Sequence, residues 1–337
     1  MAVVKVDLKA AQEVVDVITG GWRAQCLYTA VKLGIPDLIG AGRNTDDELA
    51  AATGAQPEGI HRLMRLLVAM GVFEGDGATG YRGTPVSDLL TDTPDSLREM
   101  CLLYGEEFYT AWGHASQSIS TLTAGFEIEY GEPLYQHLSG NAELSERFQL
   151  AMKAGSLFFD YVPEAIDLAG KTFVDVGAGP GQLTAAILAA VPDARAKVLD
   201  RPHVIPVAER NLRSTVGLDR VELVGGDMTE SVPEGGDVYF LCRVLAGWSD
   251  DAVVGVFANC LAAMAGSPSR LIILERVVTD ESPTVLPSLW DLHLLMTNGG
   301  RHRTLEKYTE LLARAGFAVE KVTALPAETT AIIAVPR

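Results

Sequence analysis

The chain has 337 residues, 48% hydrophobic and 21% charged, a composition typical of a folded globular protein with one large domain or two ordinary ones. Its formal net charge of −17 disfavours nucleic acid as a partner, because an acidic surface repels phosphate backbones. Four cysteines without metal-type spacing exclude a disulfide scaffold and predict reduced thiols, no bound metal and a cytoplasmic location. No signal peptide or membrane span is expected, since 252–269 carries the one-sided apolar stripe of a packed helix.

The first part of the chain, 1–98, is predicted to hold short helices followed by a small hairpin. Thr45 and Glu48 form a capping box that begins one helix, and the apolar stripe of the next helix ends at Gly71. Two short strands with a polar turn are predicted within 72–82. Helix, turn, helix and wing together predict a winged-helix domain.

A winged helix is best known for binding DNA, and this use is weighed against a role in assembly. The third helix, which would read the bases, carries His61, Arg62 and Arg65 among apolar residues. Acidic residues surround it: Asp46, Asp47, Glu48 and Glu58. Because a DNA reader needs a basic face, we favour a homodimer built on residues 8–100 and parts of 100–130.

The next segment, 99–165, reads as linking helices that are rich in large aromatic side chains. Such a run more often forms core than a ligand cage, but aromatic walls also line apolar pockets. Phe108, Trp112 and Phe159 are therefore candidate substrate-binding residues.

The last part, 166–337, changes to alternating strands and helices, which predicts a mostly parallel sheet covered on both faces. The candidate strands are 172–176, 195–200, 220–224, 237–242, 270–276, 317–322 and 329–335. The candidate helices are 181–190, 203–213, 250–264 and 305–315.

The sharpest motif is a buried strand that ends in Gly177-x-Gly179-x-Gly181 and leads directly into a helix. Glycines let the backbone approach a ligand closely, and free helix amides face it, an arrangement that suits any nucleotide-like cofactor. A dinucleotide-binding fingerprint needs a third glycine at position 182, but this chain has Gln182 there, so the motif does not match that fingerprint. Asp175, just before the turn, would repel a pyrophosphate and attract the ammonium of an amino-acid moiety.

Two further aspartates follow the next two predicted strands. Asp200 lies 25 residues after Asp175, where a carboxylate can accept from both ribose hydroxyls. Asp227 can accept from an adenine amine, with Met228 as an apolar cover. The alternative is that Asp200 and Asp227 only cap helices or turns.

The motifs VDVGAGPG, LDRPHVI, GGDMTESVP, VLAGWSDD, LILERVV and NGGRHRT follow one another in an order that resembles the S-adenosylmethionine-dependent small-molecule O-methyltransferases of bacterial natural-product and plant caffeate type. The resemblance covers essentially the whole chain. It implies an α/β fold: a Rossmann-like, seven-stranded, mostly parallel sheet (class I methyltransferase) with an N-terminal, mainly α-helical winged-helix dimerisation domain.

The resemblance also assigns residues to the cofactor S-adenosyl-L-methionine. It implies that the glycine turn and Asp175 bind the methionine part, Asp200 the ribose, and Asp227 with Met228 the adenine. The remaining implied cofactor contacts are Arg201, Arg243, Trp248 and Ser156. Met152 matches the helix that closes over the cofactor and, with Asn298 and His293, is an implied substrate contact.

One departure from the family concerns the general base, usually a histidine in a Leu-His-Asp-Trp motif. Here Ala246 stands at that position, in Leu245-Ala-Gly-Trp248, and can take no proton. A family glutamate in Gly-x-Glu-Arg-Thr is replaced by His302, while Glu275 is retained. The resemblance thus implies His302 as the proton acceptor at a near-neutral pKa, with Glu275, Asp291 and His293 as further catalytic candidates. The alternatives are a surface-loop His302 and a core His293.

Three functional hypotheses stay open. The first is methylation of a hydroxyl on an aromatic or polyketide-like small molecule in natural-product biosynthesis. The second is changed chemistry in the same fold: C-methylation, or cofactor-dependent hydroxylation, decarboxylation or cyclisation, because Ala246 replaces the base. The third is a winged-helix regulator that binds the cofactor or a metabolite as a signal.

Overall fold

The computed structural model describes residues 7–93, 96–154, 156 and 158–337, without the side chains of 153 and 154. These residues form two compact units. The first contains the chain up to Thr110 together with 138–154, and the second contains 111–137, 156 and 158–337. The prediction that no signal peptide is present depends largely on residues 1–6, which lie outside the described residues.

The elements before the large sheet are α1 (Leu8–Ile18), α2 (Gly20–Lys32), α3 (Ile35–Gly40), α4 (Asp46–Thr53), α5 (Pro57–Ala69), β1 (Phe73–Asp76), β2 (Gly80–Gly83), α6 (Pro85–Asp88), α7 (Arg98–Gly105), α8 (Glu107–Trp112), α9 (Ala115–Thr121), α10 (Gly125–Tyr130), α11 (Leu134–Gly140), α12 (Ala142–Ala154), the 3₁₀ turn Phe159–Tyr161 and α13 (Val162–Ala165). The later elements are β3 (Thr172–Val176), α14 (Gln182–Ala190), β4 (Arg195–Asp200), α15 (Ile205–Thr215), β5 (Val221–Gly225), β6 (Val238–Cys242), α16 (Asp250–Ala263), β7 (Arg270–Glu275), β8 (Val277–Val278), α17 (Val285–Asn298), β9 (Arg303–Thr304), α18 (Leu305–Arg314), β10 (Phe317–Leu325) and β11 (Thr329–Pro336).

The first unit has the predicted winged-helix arrangement. Thr45 Oγ1 accepts from the Glu48 amide and Glu48 accepts from the Thr45 amide, so the predicted capping box begins α4. β1 and β2 pair antiparallel after α5 and form the wing. Helix α1 contributes no buried residue and leaves Val17 81% and Ile18 63% exposed.

Pro36 has a different place from the one its sequence suggests. In the sequence, Leu27, Ala30, Val31 and Leu33 form an apolar stripe that predicts a helix stopping at Gly34 and Pro36, and α2 does end at Lys32. Pro36 then lies in the first turn of α3. Its missing amide hydrogen is not needed there, because the first helical amides have no partner within the helix.

The second unit is built on the sheet, whose strand order in the described residues is β10-β11-β7-β6-β3-β4-β5. The five strands β3 to β7 are parallel, and β11 and β10 join antiparallel at one edge. Apolar clusters cover both faces, which explains why the central strands read as continuous hydrophobic runs.

The predicted strands are confirmed, with small differences at their ends. β10 extends to Leu325 instead of 322 because it pairs with β11 as a long hairpin. In α16 the apolar side is buried, including Val253, Phe257 and Cys260. Across the described residues, no helix combines the length and apolar character that crossing a membrane requires.

The helices of the predicted linking segment are divided between the two units. Residues 99–110 and 138–154 belong to the first unit, and 111–137 belongs to the second.

Candidate active site

The crevice of interest lies at the carboxyl ends of β3 and β6. From β3 the chain proceeds outward to β4 and β5 and then returns to β6 on the other side of β3. At such a reversal of strand order the connections separate, and ligands of open α/β sheets bind in the resulting crevice. Gly177 follows β3 and Arg243 follows β6 at this point.

The glycine turn has a backbone that other residues rarely adopt. Gly177 has a φ of 74°, and a Cβ atom there would come 3.0 Å from Val244 Cγ1. Gly181, at φ 76°, is the N-cap of α14. Glycine therefore allows this turn and leaves its backbone open to a ligand at this edge of the sheet.

Asp175 is fully enclosed beneath the turn. Its carboxylate accepts a hydrogen bond of 2.7 Å from Thr184 Oγ1. Burial raises the pKa of Asp175 to about 6, with a further contribution from the charge of Asp200. A cationic ligand group beside Asp175 would favour its ionised form.

Asp200 is held in place by backbone amides. The Gly179 amide donates to Oδ2 and the Arg201 amide donates to Oδ1, both at 2.7 Å. Since each carboxylate oxygen has two lone pairs, the oriented group can still accept from a pair of hydroxyls.

Asp227 and Met228 follow β5. The amide and hydroxyl of Thr229 donate to Asp227 Oδ1 and lower the pKa of this carboxyl. The carbonyl of Met228 accepts from Asn259 Nδ2 at 2.9 Å, which fixes the loop. Asp227 is thus an ionised acceptor in a fixed position.

Two cavities meet at Gly177. One, of about 50 Å³, is lined by Asp175, Phe159 and Gln182, and Ser156 Oγ contacts Gln182 Oε1 at 3.5 Å. The other, also of about 50 Å³, is lined by Asp200, Arg201, Asp227, Met228 and Trp248. A buried acid on one side and two acids held in fixed positions on the other fit the aminoacyl and nucleoside ends of S-adenosylmethionine.

On the other side of the crevice, two loops are bound together around Ala246. The Arg301 amide donates to the Ala246 carbonyl at 2.9 Å, and the Leu245 amide donates to Glu275 Oε1 at 3.1 Å. Burial raises the pKa of Glu275 to about 7, against the lowering effect of Arg243. The structure therefore brings Ala246, Glu275 and the loop of His302 into one wall.

Arg303 was not identified from the sequence beyond its place in a motif. It is 3% exposed, donates to the carbonyls of Leu245 and Trp248, and pairs with Asp250 at 3.0 Å. Its guanidinium thus joins the 245–248 loop to the 300–303 loop.

His302 is buried, with 9% of its surface exposed, so the surface-loop alternative is wrong. The expectation of a near-neutral pKa is also wrong, because burial and the charges of Arg276 and Arg243 together lower the pKa of His302 to about 4. Among the described residues its Nδ1 has no hydrogen-bond partner. Asp291 accepts from the His302 amide at 2.6 Å, so this acid holds the backbone of the loop.

His293 contacts Trp112, another predicted pocket residue. Trp112 Nε1 donates to His293 Nδ1 at 3.2 Å. Burial lowers the pKa of His293 to about 4, so the ring is neutral near pH 7. Because the indole N–H can only donate, the proton of the neutral imidazole resides on Nε2.

The other predicted residues lie in different places. Asn298 ends α17 and its Oδ1 accepts from the Gly300 amide at 2.8 Å, while the Arg243 guanidinium lies 4.6 Å from the Phe158 ring centroid. Phe108 and Met152 belong to the first unit, where Phe108 is buried and its ring lies 5.3 Å from that of Tyr104.

Comparison with known proteins places this chain in a family. Residues 112–318 match the model of the O-methyltransferase domain, and residues 15–93 match that of the O-methyltransferase dimerisation domain. The chain belongs to the S-adenosylmethionine-dependent O-methyltransferase family.

Two curated relatives span nearly the whole of this methyltransferase. Phenazine-1-carboxylate N-methyltransferase of Pseudomonas aeruginosa is 46% identical over 97% of this chain and 98% of its own. The 3-amino-4-hydroxybenzoate 4-O-methyltransferase of Streptomyces cremeus is 40% identical over 95% of this chain and 88% of its own. The solved structure of the pyocyanin biosynthetic protein PhzM has a TM-score of 0.92 at 46% identity, covering 98% of this chain and 100% of that one.

For this methyltransferase, the resemblance found in the sequence, the fold class and the cofactor are therefore confirmed. Three residues of the site, Thr184, Arg303 and Arg276, are not predicted from the sequence. The sequence gives a weak indication for Thr184, because a hydroxyl in the first turn of α14 is near the end of β3 and can therefore contact Asp175. Arg276 directly follows the retained Glu275 in the sequence. Its contact with Trp290 of α17 is visible only in the structure.

Proposed function

We propose that this methyltransferase methylates a ring nitrogen of a planar aromatic small molecule in natural-product biosynthesis. Ala246, at the position of the family's base histidine, is the observation that carries the proposal. A pyridine-type nitrogen bears no proton, so its lone pair attacks without a base. The name of the 46% identical relative, an N-methyltransferase of phenazine-1-carboxylate, supports the same reading.

The bound cofactor supplies an electrophilic methyl group on a sulfonium, whose C–S electron pair stays with sulfur as the methyl moves to nitrogen. The protein's contribution is to hold the acceptor in line with that methyl at near-contact distance and to exclude water, which supplies much of the rate. We assign Asp175 to the amino group of the cofactor, Asp200 to its ribose and Asp227 to its adenine. The cavities on either side of Gly177 support this division.

A second candidate is methylation of an aromatic hydroxyl. The 40% identical relative, a 3-amino-4-hydroxybenzoate 4-O-methyltransferase, favours it. His302 would then accept the proton, since its ring is neutral and lies on the wall that also contains Ala246. With a pKa of about 4 it would be a weak base, suited to a phenol that is already acidic.

Product analysis separates the two candidates. The purified protein is incubated with methyl-labelled S-adenosylmethionine and either phenazine-1-carboxylate or 3-amino-4-hydroxybenzoate, and the methylated atom is located by mass spectrometry and NMR. Label on a ring nitrogen is expected. Label only on a hydroxyl oxygen would favour the second candidate, and unlabelled, altered product would favour changed chemistry.

We further propose a cytoplasmic homodimer assembled through the first unit. Helix α1 exposes Leu8, Val14, Val17 and Ile18, and Trp22 of α2 is 66% exposed, a run of apolar surface that a second copy would cover. The acidic surroundings of α5, the helix that would read the bases, count against a DNA-binding regulator, since His61 Nδ1 lies 2.9 Å from Asp46 Oδ2. Light scattering should give twice the 36.0 kDa mass of one chain.

A further inference from the structure

An aromatic and cationic cluster lies next to the wall formed by Ala246, Glu275 and the loop of His302. We call this part of the second unit the acceptor side, because the methyl acceptor is proposed to bind there. The Arg276 guanidinium carbon lies 4.4 Å from the centroid of the Trp290 ring. The His293 ring meets Trp290 edge-on, with centroids 5.7 Å apart and an interplanar angle of 80°. Trp112 completes the series through its hydrogen bond of 3.2 Å to His293.

These contacts result from the fold. Trp290 and His293 are three residues apart on α17 and so lie on one side of the helix. Arg276 follows β7 directly, and the adjoining strand β8 packs against α17. Trp112 ends α8, 181 residues before His293.

The Arg276 guanidinium is the cationic group of this cluster. The two imidazoles are neutral near pH 7, because burial and the nearby Arg276 lower the pKa of His293 and of His302 to about 4. The two acids of the wall accept from main-chain amides: Glu275 from Leu245 and Asp291 from His302. Arg243, at the end of β6, adds a second guanidinium.

The Arg276 guanidinium and Nε2 of His293 are both hydrogen-bond donors. Arginine only donates, and Nε2 of His293 carries the proton because Nδ1 accepts from Trp112. A guanidinium is a planar fork of N–H groups, a geometry that matches a carboxylate.

We propose that Arg276, with the Nε2–H of His293, forms a subsite for a carboxylate on the aromatic acceptor. The subsite selects acceptors with an ionised carboxyl group and orients the ring, while Trp290 and Trp112 flank it. This inference rests on the proposed function, because it concerns the acceptor of the same methyl transfer. Arg276 is a specificity-determining residue in this arrangement and takes no proton.

The test compares two probes that differ only in this charge: phenazine-1-carboxylate and its neutral carboxamide. Binding is measured by calorimetry with S-adenosylhomocysteine present, and turnover is measured with S-adenosylmethionine. The native protein should bind the carboxylate roughly 10- to 100-fold more tightly, the range of a charge-assisted hydrogen-bonded pair.

Three variants make the test specific. Arg276→Met should lose the preference, raising KM for the carboxylate by roughly the same 10- to 100-fold with kcat little changed and KM for the carboxamide unaffected. Arg276→Lys keeps the charge without the fork and should recover part of the preference. Arg270→Met, at the opposite end of β7, is the matched control and should behave as the native protein does.

The outcomes separate this inference from the proposed function. Turnover of both probes with equal KM would overturn the subsite and leave the methylation standing. Preferential binding of the carboxylate without product would support the subsite and overturn the proposed function. An Arg276→Met variant that weakens both probes equally would show a structural role only, and failure to bind either probe would overturn both.

Discussion

The two sides of the crevice are built by different means. On the cofactor side, Asp175, Asp200 and Asp227 come from three consecutive strands, and backbone amides or nearby hydroxyls orient each carboxylate. On the acceptor side, the polar groups come from distant segments that meet through Arg303 and the Trp112–His293 hydrogen bond. The cofactor side is therefore set by local chain geometry, whereas the acceptor side depends on packing and can change its chemistry by single substitutions such as the one at Ala246.

The largest effect is expected on the cofactor side. Asp200→Ala should weaken S-adenosylmethionine by roughly 10²- to 10³-fold, because two hydroxyls lose a charged acceptor. Calorimetry measures this loss, and Asp219→Ala, an exposed loop aspartate, is the matched control. Native-like affinity in a folded Asp200→Ala protein would mean that the carboxylate only holds the Gly179 amide.

The acceptor side should respond to restoring the family's base. Ala246→His is expected to raise the rate of hydroxyl methylation on the order of 10²-fold, the lower end of what general base catalysis supplies. Methylation of a ring nitrogen should not gain, since no proton leaves it. Ala246→Gln provides a polar side chain without a base, and an equal gain in that variant would point to positioning instead.

The affinity for the cofactor should depend on pH through Asp175. The cofactor's ammonium favours the ionised carboxyl, so affinity should fall up to tenfold per pH unit below about 6, the pKa of Asp175 without cofactor. Asp175→Asn should remove this dependence while lowering the affinity. If the native protein's affinity for the cofactor did not change from pH 5 to 8, Asp175 would not be the residue that binds the ammonium.

The same group affects stability without cofactor in the opposite sense. Because its pKa is raised from 3.8 to about 6, Asp175 stabilises the fold at low pH, and this contribution is lost as the pH rises through 6. Asp175→Asn should consequently raise the melting temperature of the cofactor-free protein at pH 8, measured by calorimetry.

The smallest effect is expected at His302. His302→Gln should change ring-nitrogen methylation by no more than about threefold, because that reaction transfers no proton to the protein. The pH–rate profile of the native protein should contain no limb from this imidazole between pH 6 and 9, since a group with a pKa of about 4 is neutral throughout. A loss of 100-fold, with an acidic limb that moves, would restore His302 as a proton acceptor.

The sequence alone determined the fold class and predicted where the cofactor side lies. Parallel strands carry side chains to one common edge, so the glycine turn and the acids after β4 and β5 can be placed together from their order in the chain. The capping box at Thr45 is equally local, since all its atoms lie within four residues.

Only the tertiary structure decided the acceptor side. The pKa of His302 depends on burial and on two guanidiniums from other strands, and neither is visible in the motif around it. The tautomer of His293 depends on the indole of Trp112, 181 residues away in the sequence. The position of the Arg276 guanidinium depends on its contact with the Trp290 ring of α17. Desolvation and charge act through space, so a site assembled from distant loops acquires its chemistry only when the chain has folded.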